Sequence, residues 1–114
     1  MREGPNKEQL EGFTFWYEYL PGFEISKMRH LIKELKLTEP SVTLFLTSGK
    51  KTNIVLWTNG MPKDAAYYIT DIVENLGGRG GGSADAYTGG FTEVENPQEL
   101  FLVIVEKVKK RILE

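Results

Sequence analysis

The chain has 114 residues, with 14 Lys and Arg against 16 Asp and Glu, a single His and no Cys. This length supports one compact domain with a core of its own, and the absence of Cys excludes disulfides, thiolate metal sites and a Cys nucleophile. The formal net charge of −2 argues against a broadly basic nucleic-acid binder, although not against a local basic patch. No apolar run reaches the ~18 residues of a membrane helix, and the first residues lack a signal-peptide pattern. We therefore expect a soluble cytoplasmic domain without a membrane partner.

In chain order, the first half of the sequence predicts a polar start, a strand and a helix. Residues 1–11 are polar and aperiodic, which predicts a linker or an edge segment ahead of a single domain at residues 12–114. Aromatic side chains recur at every second position in residues 13–20, which is typical of a β-strand. A helically spaced apolar stripe occupies residues 25–35, and the helix should end before Pro40.

The middle of the sequence predicts a β-hairpin followed by a second helix. Residues 42–47 and 52–58 are rich in β-branched and aromatic side chains, and the four residues between them suit a hairpin loop. Residues 63–76 carry an apolar stripe at helical spacing, and Gly77 stands where a left-handed C-cap is expected.

The last part of the sequence predicts a short edge strand and a terminal helix. Residues 91–94 favour the strand, while Asn96, Pro97 and Glu99 form the pattern of an N-cap, a first-turn proline and a capping box. The element order predicts an α/β (α+β) single domain, in which helices pack on a small mixed sheet of three to four strands.

Seven of the 12 glycines fall in residues 77–90, a concentration that needs a physical reason. The segment lacks the Lys of a P-loop, breaks the dinucleotide-binding fingerprint, and follows a helix where both motifs follow a strand. Consecutive glycines can instead gather backbone N–H groups into an anion-binding nest, with Arg79 as a phosphate-binding fork and Tyr87 as a stacking ring. The alternative is a loop whose glycines only allow close packing against the sheet.

The glycine-rich segment resembles the signature of the DHH-associated domain family, as found in the C-terminal (C-Ala) domain of alanyl-tRNA synthetases, here in an archaeal-like form. That signature runs approximately Gly-Gly-Lys-Gly-Gly-Gly-Arg-Pro-Asp-x-Ala-Gln-Gly-Gly. Arg79 replaces the Lys with its charge kept, Ser83-Ala84 stands in place of Arg-Pro, and Tyr87-Thr88 in place of Ala-Gln. The matching residues are Gly77, Gly78, Gly80, Gly81, Gly82, Asp85, Gly89 and Gly90.

The resemblance implies a tRNA-binding accessory domain of an alanyl-tRNA synthetase or a related editing protein, with a tRNA for alanine and the remainder of the synthetase as partners. It also implies two alternatives: the substrate-recognition domain of a DHH-type phosphoesterase that acts on nucleotides, and a module that forms a homodimer. The usual His-Pro pair of the phosphoesterases is replaced by Ser83-Ala84.

Neither a catalytic residue, a metal ligand nor a cofactor site is expected in this chain, because no acidic pair accompanies Arg79 or Asp85. Any chemistry should therefore reside on another domain or another chain. His30 and the basic run at residues 107–111 are expected on solvated helix surfaces, with a nucleic-acid contact as the alternative for the run. The candidate nucleic-acid-binding residues are Gly78, Arg79, Gly80, Gly81, Gly82, Ser83, Lys50, Lys51 and Tyr87.

Overall fold

Six β-strands form one mixed sheet in the computed structural model, which describes residues 6–10, 12–22, 40–49, 51–83, 85–92 and 94–113. The strand order is β1-β2-β3-β4-β6-β5, and every neighbouring pair is antiparallel except the parallel pair β2–β3. The elements are β1 (Asn6–Leu10), β2 (Phe13–Pro21), β3 (Ser41–Ser48), β4 (Thr52–Asn59), α1 (Ala65–Asn75), β5 (Arg79–Gly82), β6 (Ala86–Phe91) and α2 (Pro97–Leu113).

The mixed α+β class is confirmed, but the sheet has six strands where we expected three to four. One additional strand is β1, which lies within the segment expected to be a linker and pairs antiparallel with β2. Its polar sequence is compatible with an edge position, because an edge strand is paired on one side only. Lys7 lies 5.1 Å above the Trp16 ring on one face, and Leu10 packs against the core on the other.

The remaining strands come from the glycine-rich segment, which forms the hairpin β5–β6 rather than a loop. The short strand expected at residues 91–94 is therefore wrong in position, since β6 already ends at Phe91. Burial alternates with period two along β6, as in a strand with one covered face, although its glycines hide this pattern from propensity alone.

Several boundaries follow the sequence closely. The β3–β4 hairpin lies where it was predicted, and α1 ends at the expected cap, with Gly77 at φ +92°. At the start of α2, the Glu99 N–H donates to the Asn96 side-chain oxygen at 3.1 Å. The helix predicted at residues 25–35, together with His30, lies outside the described residues.

The main core lies between one face of the sheet and the two helices. Buried β-branched and leucine side chains of β3 and β4 meet the apolar stripes of α1 and α2 there. A second cluster occupies the other face of the sheet and comprises Leu20, Phe45 and Val55, with Trp57 against it. Both faces of β3 are therefore buried, as its continuous apolar run predicted.

Candidate nucleic-acid interface

The glycine-rich segment forms one edge of the sheet. β5 pairs with β6, with Arg79 opposite Gly90, and no strand of the described residues lies on its other side. The Ser83 N–H donates to the Ala86 carbonyl oxygen at 2.8 Å and closes the turn. The glycines therefore line an open backbone edge.

The amide groups of this run do not form the nest that we expected. Gly80, Gly81 and Gly82 lie in an extended strand, whereas a nest needs a backbone in which left-handed residues take part. Along an antiparallel strand, alternate residues direct their N–H and C=O groups to the partner. The Ser83 N–H bonds to β6, so the N–H and C=O groups of Gly81, two residues earlier, also face β6. The amides of Gly80 and Gly82 therefore point away from the sheet, at a spacing of about 7 Å.

Close packing explains four of the glycines in the hairpin and before it. A Cβ on Gly80 would lie 2.5 Å from both the Thr88 carbonyl oxygen and the Tyr87 hydroxyl. Positions where a Cβ would similarly come closer than 3.0 Å to another atom are Gly78, Gly82 and Gly89. The packing alternative raised by the sequence therefore accounts for these glycines.

Gly81 is different from its neighbours. A Cβ at this position would meet no atom within 4 Å, and Gly81 is absent from the glycines with positive φ, so its backbone does not require glycine either. The fold alone gives no reason for a missing side chain at Gly81. The space above Gly81 is open, so another molecule could approach the backbone closely at this position.

Tyr87 is a core residue, which corrects its assignment as a stacking ring. Its side chain is 0 % exposed and packs beneath Gly80 and Gly89, so no base can reach its face. Its hydroxyl finds no hydrogen-bond partner in the described part of the chain. Burial, together with the nearby Glu74 carboxylate, raises the pKa of Tyr87.

Arg79 and Gly81 lie on the face of the sheet opposite α1 and α2. Residues directly paired in a sheet share a face, and Arg79 pairs with Gly90 while Gly81 pairs with Thr88. We call these four residues the hairpin face. Tyr87 points to the opposite, helix-covered side, where its ring lies against Gly80 and Gly89. No signal within the glycine run indicates this position, because Gly89 stands where a second large residue would complete an alternation.

Lys51 lies at the same end of the sheet as Arg79. Asn53 of β4 is paired with Gly90, which in turn is paired with Arg79, and Lys51 precedes Asn53 by two residues. Both cations belong to exposed residues. Two strand spacings of about 4.8 Å and two residues of about 3.4 Å along the strand place their Cα atoms roughly 12 Å apart.

Two of the other candidate residues do not join this surface. Gly78 lies next to Arg79 but is buried against Val73 of α1, and Ser83 is exposed at the far end of β5. Lys50 falls outside the described residues. The structure thus places Arg79 and Gly81 on one strand, with Lys51 beyond the same end of the sheet.

Two cations of the basic run in α2 hold the helices and the sheet together. Lys109 Nζ lies 2.7 Å from a Glu8 carboxylate oxygen of β1, and this partner raises the pKa of Lys109. Arg111 binds both carboxylate oxygens of Asp71 in α1, at 2.7 and 3.1 Å, and lowers the pKa of Asp71. These long-range contacts have no sequence signal, and they leave Lys107 and Lys110 as the exposed cations of the run.

In the described residues, no group of three or more His, Asp or Glu side chains is arranged to hold a metal ion. None of the described helices is long and apolar enough to span a membrane.

The chain shares its fold with a known RNA-related domain. The crystal structure of the C-Ala domain from Aquifex aeolicus alanyl-tRNA synthetase matches with a TM-score of 0.70 and 24% sequence identity, over 90% of this chain and 97% of that chain. No family model matches this sequence, and no curated protein matches it. The expected resemblance to a C-Ala domain is therefore confirmed at the level of the fold.

Proposed function

We propose that this chain is a tRNA-binding accessory domain and that its hairpin face approaches the sugar–phosphate backbone of the tRNA. Gly81 carries the proposal, because it is exposed on the face that also presents Arg79 and neither packing nor φ requires a glycine there. The shared fold with a domain of alanyl-tRNA synthetase supports this class of ligand.

The recognition chemistry follows from the geometry of the hairpin. The Arg79 guanidinium can bind two phosphate oxygens at once, and the outward amides of Gly80 and Gly82 can donate to further phosphate or ribose oxygens. A backbone without side chains lets the RNA come close enough for these short hydrogen bonds. Lys51 adds attraction from the same end of the sheet.

The net charge of the chain limits this interaction to a small patch. With a formal charge of −2, the long-range field does not favour RNA, so binding depends on a few phosphate contacts. The slope of log K against log salt is therefore shallow, at about −1 for each contact. On this proposal the chain belongs to an alanyl-tRNA synthetase or a related editing protein of the DHH-associated family. A tRNA for alanine is then the preferred ligand, and the remainder of that protein carries the chemistry.

The test is fluorescence anisotropy with a labelled tRNA transcript at two salt concentrations. We expect Arg79→Ala to weaken binding about tenfold and to lower the slope of log K against log salt by about 1. Gly81→Thr should weaken tRNA binding without loss of protein stability, because the threonine side chain occupies space that the RNA needs. Lys107→Ala is the matched control, since it removes one exposed cation from α2 on the opposite side of the sheet.

Three outcomes would contradict the proposal. The first is the absence of tRNA binding at tens of micromolar protein. The second is an equal effect of Arg79→Ala and Lys107→Ala, which would assign the attraction to α2 or to general charge. The third is a preference for a mononucleotide over folded tRNA, which would favour the phosphoesterase alternative.

A further inference from the structure

A groove of about 610 Å³ lies where the end of α1, the end of β6 and the N-terminal half of α2 meet. Its lining includes the apolar side chains of Leu76, Phe91 and Val103 and the two carboxylates of Glu95 and Glu99. Both glutamates belong to exposed residues, so they form an acidic rim on an apolar floor. The hairpin face lies on the other side of the sheet.

The apolar surface continues from the groove along α2. Leu102 is 57% exposed and Val103 is 38% exposed. With Glu99 and Glu106 they occupy positions i, i+3, i+4 and i+7, which places all four on one helix face. Exposed apolar side chains that extend an apolar groove mark an interaction site rather than ordinary surface.

The carboxylates of the rim are available to a partner. Neither Glu95 nor Glu99 takes part in a salt bridge in the described part of the chain. The cap of α2 uses the Glu99 backbone N–H, which donates to the Asn96 side chain, and leaves the Glu99 carboxylate unused. The rim therefore presents two carboxylates without an ion-pair partner among the described residues, at the N-terminal end of α2 and beside the apolar side chains of the groove.

We infer that this groove binds an amphipathic helix of a partner protein, with leucine-type side chains in the groove and Lys or Arg residues against Glu95 and Glu99. An added β-strand is excluded here, because β6 already has β4 and β5 as neighbours. Nucleic acid is excluded because the carboxylates repel phosphate. An apolar groove beside a helix suits an inserted helix with anchors at i, i+3, i+4 and i+7, and the acidic rim selects a basic one.

The test uses two labelled synthetic peptides of about 15 residues, long enough for four helical turns. Both carry Leu at i, i+3, i+4 and i+7, and the remaining positions hold Ala with Lys in one peptide and Glu in the other. We expect the Lys peptide to bind the wild-type chain. The double variant Glu95→Lys/Glu99→Lys should bind it at least about fivefold more weakly and should gain affinity for the Glu peptide.

A matched pair of leucines localises the binding. Leu102 and Leu113 are both exposed on α2, at 57% and 50%, but of the two only Leu102 is next to a residue that lines the groove, Val103. Leu102→Ser should weaken binding of the Lys peptide about tenfold, whereas Leu113→Ser should leave it unchanged. Circular dichroism of each variant confirms that the fold is retained.

Several results would overturn the inference. The first is equal binding of both peptides to the wild-type chain, and the second is an unchanged affinity of the double variant for the Lys peptide. The third is an equal loss of affinity in the two leucine variants. Each of these results would indicate unspecific adhesion. Sedimentation that shows a dimer of the free chain, dissociated by Leu102→Ser, would assign the groove to a second copy instead. None of these results depends on tRNA binding, which the groove variants should leave intact.

Discussion

Two adjacent glycines of β5 should respond to the same substitution in opposite ways. In Gly80→Ala, the new Cβ would lie 2.5 Å from the Thr88 carbonyl oxygen and 2.6 Å from the Gly89 Cα, so the backbone of the hairpin must move. Overpacking of this kind costs about 1–3 kcal/mol of unfolding free energy. In Gly81→Ala the Cβ meets open space, and the stiffer unfolded chain stabilises the protein by about 0.4–1 kcal/mol.

The assay is urea unfolding followed by circular dichroism. With an m value of about 1–3 kcal/mol/M, a loss of about 2 kcal/mol lowers the midpoint by roughly 1 M for Gly80→Ala. Gly81→Ala should raise the midpoint by roughly 0.2–0.5 M, with the same m value. Equal destabilisation of the two variants, or a larger loss for Gly81→Ala, would refute both the packing account of the hairpin and the argument that Gly81 is free of structural constraint.

Two further predictions concern buried and paired groups. Tyr87→Phe should retain the fold and raise its stability by about 1 kcal/mol, because it removes a buried hydroxyl without a hydrogen-bond partner in the described residues. Thermal unfolding that shows a loss of stability of more than about 1 kcal/mol would contradict the assignment of this hydroxyl as unpaired. Asp71→Asn should cost about 0.2–1 kcal/mol at neutral pH, since it breaks the partly exposed pair with Arg111. The Arg111 guanidinium lowers the Asp71 pKa, so the ion pair's contribution is present above the ordinary carboxyl pKa and is lost as pH falls through the lowered value. Urea midpoints of the two proteins should therefore converge in acid, and a constant difference would contradict the charge mechanism.

The sequence predicted the elements that carry their own local signal. Period-two aromatic residues indicated β2, branched apolar runs indicated β3 and β4, and the Asn96 cap indicated the start of α2. In each case the side chains that define the pattern also make the contacts, so local preference and tertiary packing agree.

The parts that the sequence did not predict depend on pairing partners rather than on their own residue preferences. β1 is polar and is a strand because it pairs with β2, the next strand along the chain. The β5–β6 hairpin has low strand propensity, since its glycines bury no side chains, yet β4 and the Tyr87 ring hold it in place. The position of Tyr87 in the core follows from strand register, and no spacing rule within the glycine run reveals it.

The open glycine edge of β5 also affects the solubility of the protein. A bare strand edge invites pairing with other chains, which is how many sheets begin to aggregate. β5 is only four residues long and carries three glycines. A second chain could therefore form few backbone hydrogen bonds with it, and would find no side chains of the kind that interdigitate between strands in fibrils. The absence of side chains, which would let a polyanion approach, therefore also protects this edge from pairing with other copies of the chain.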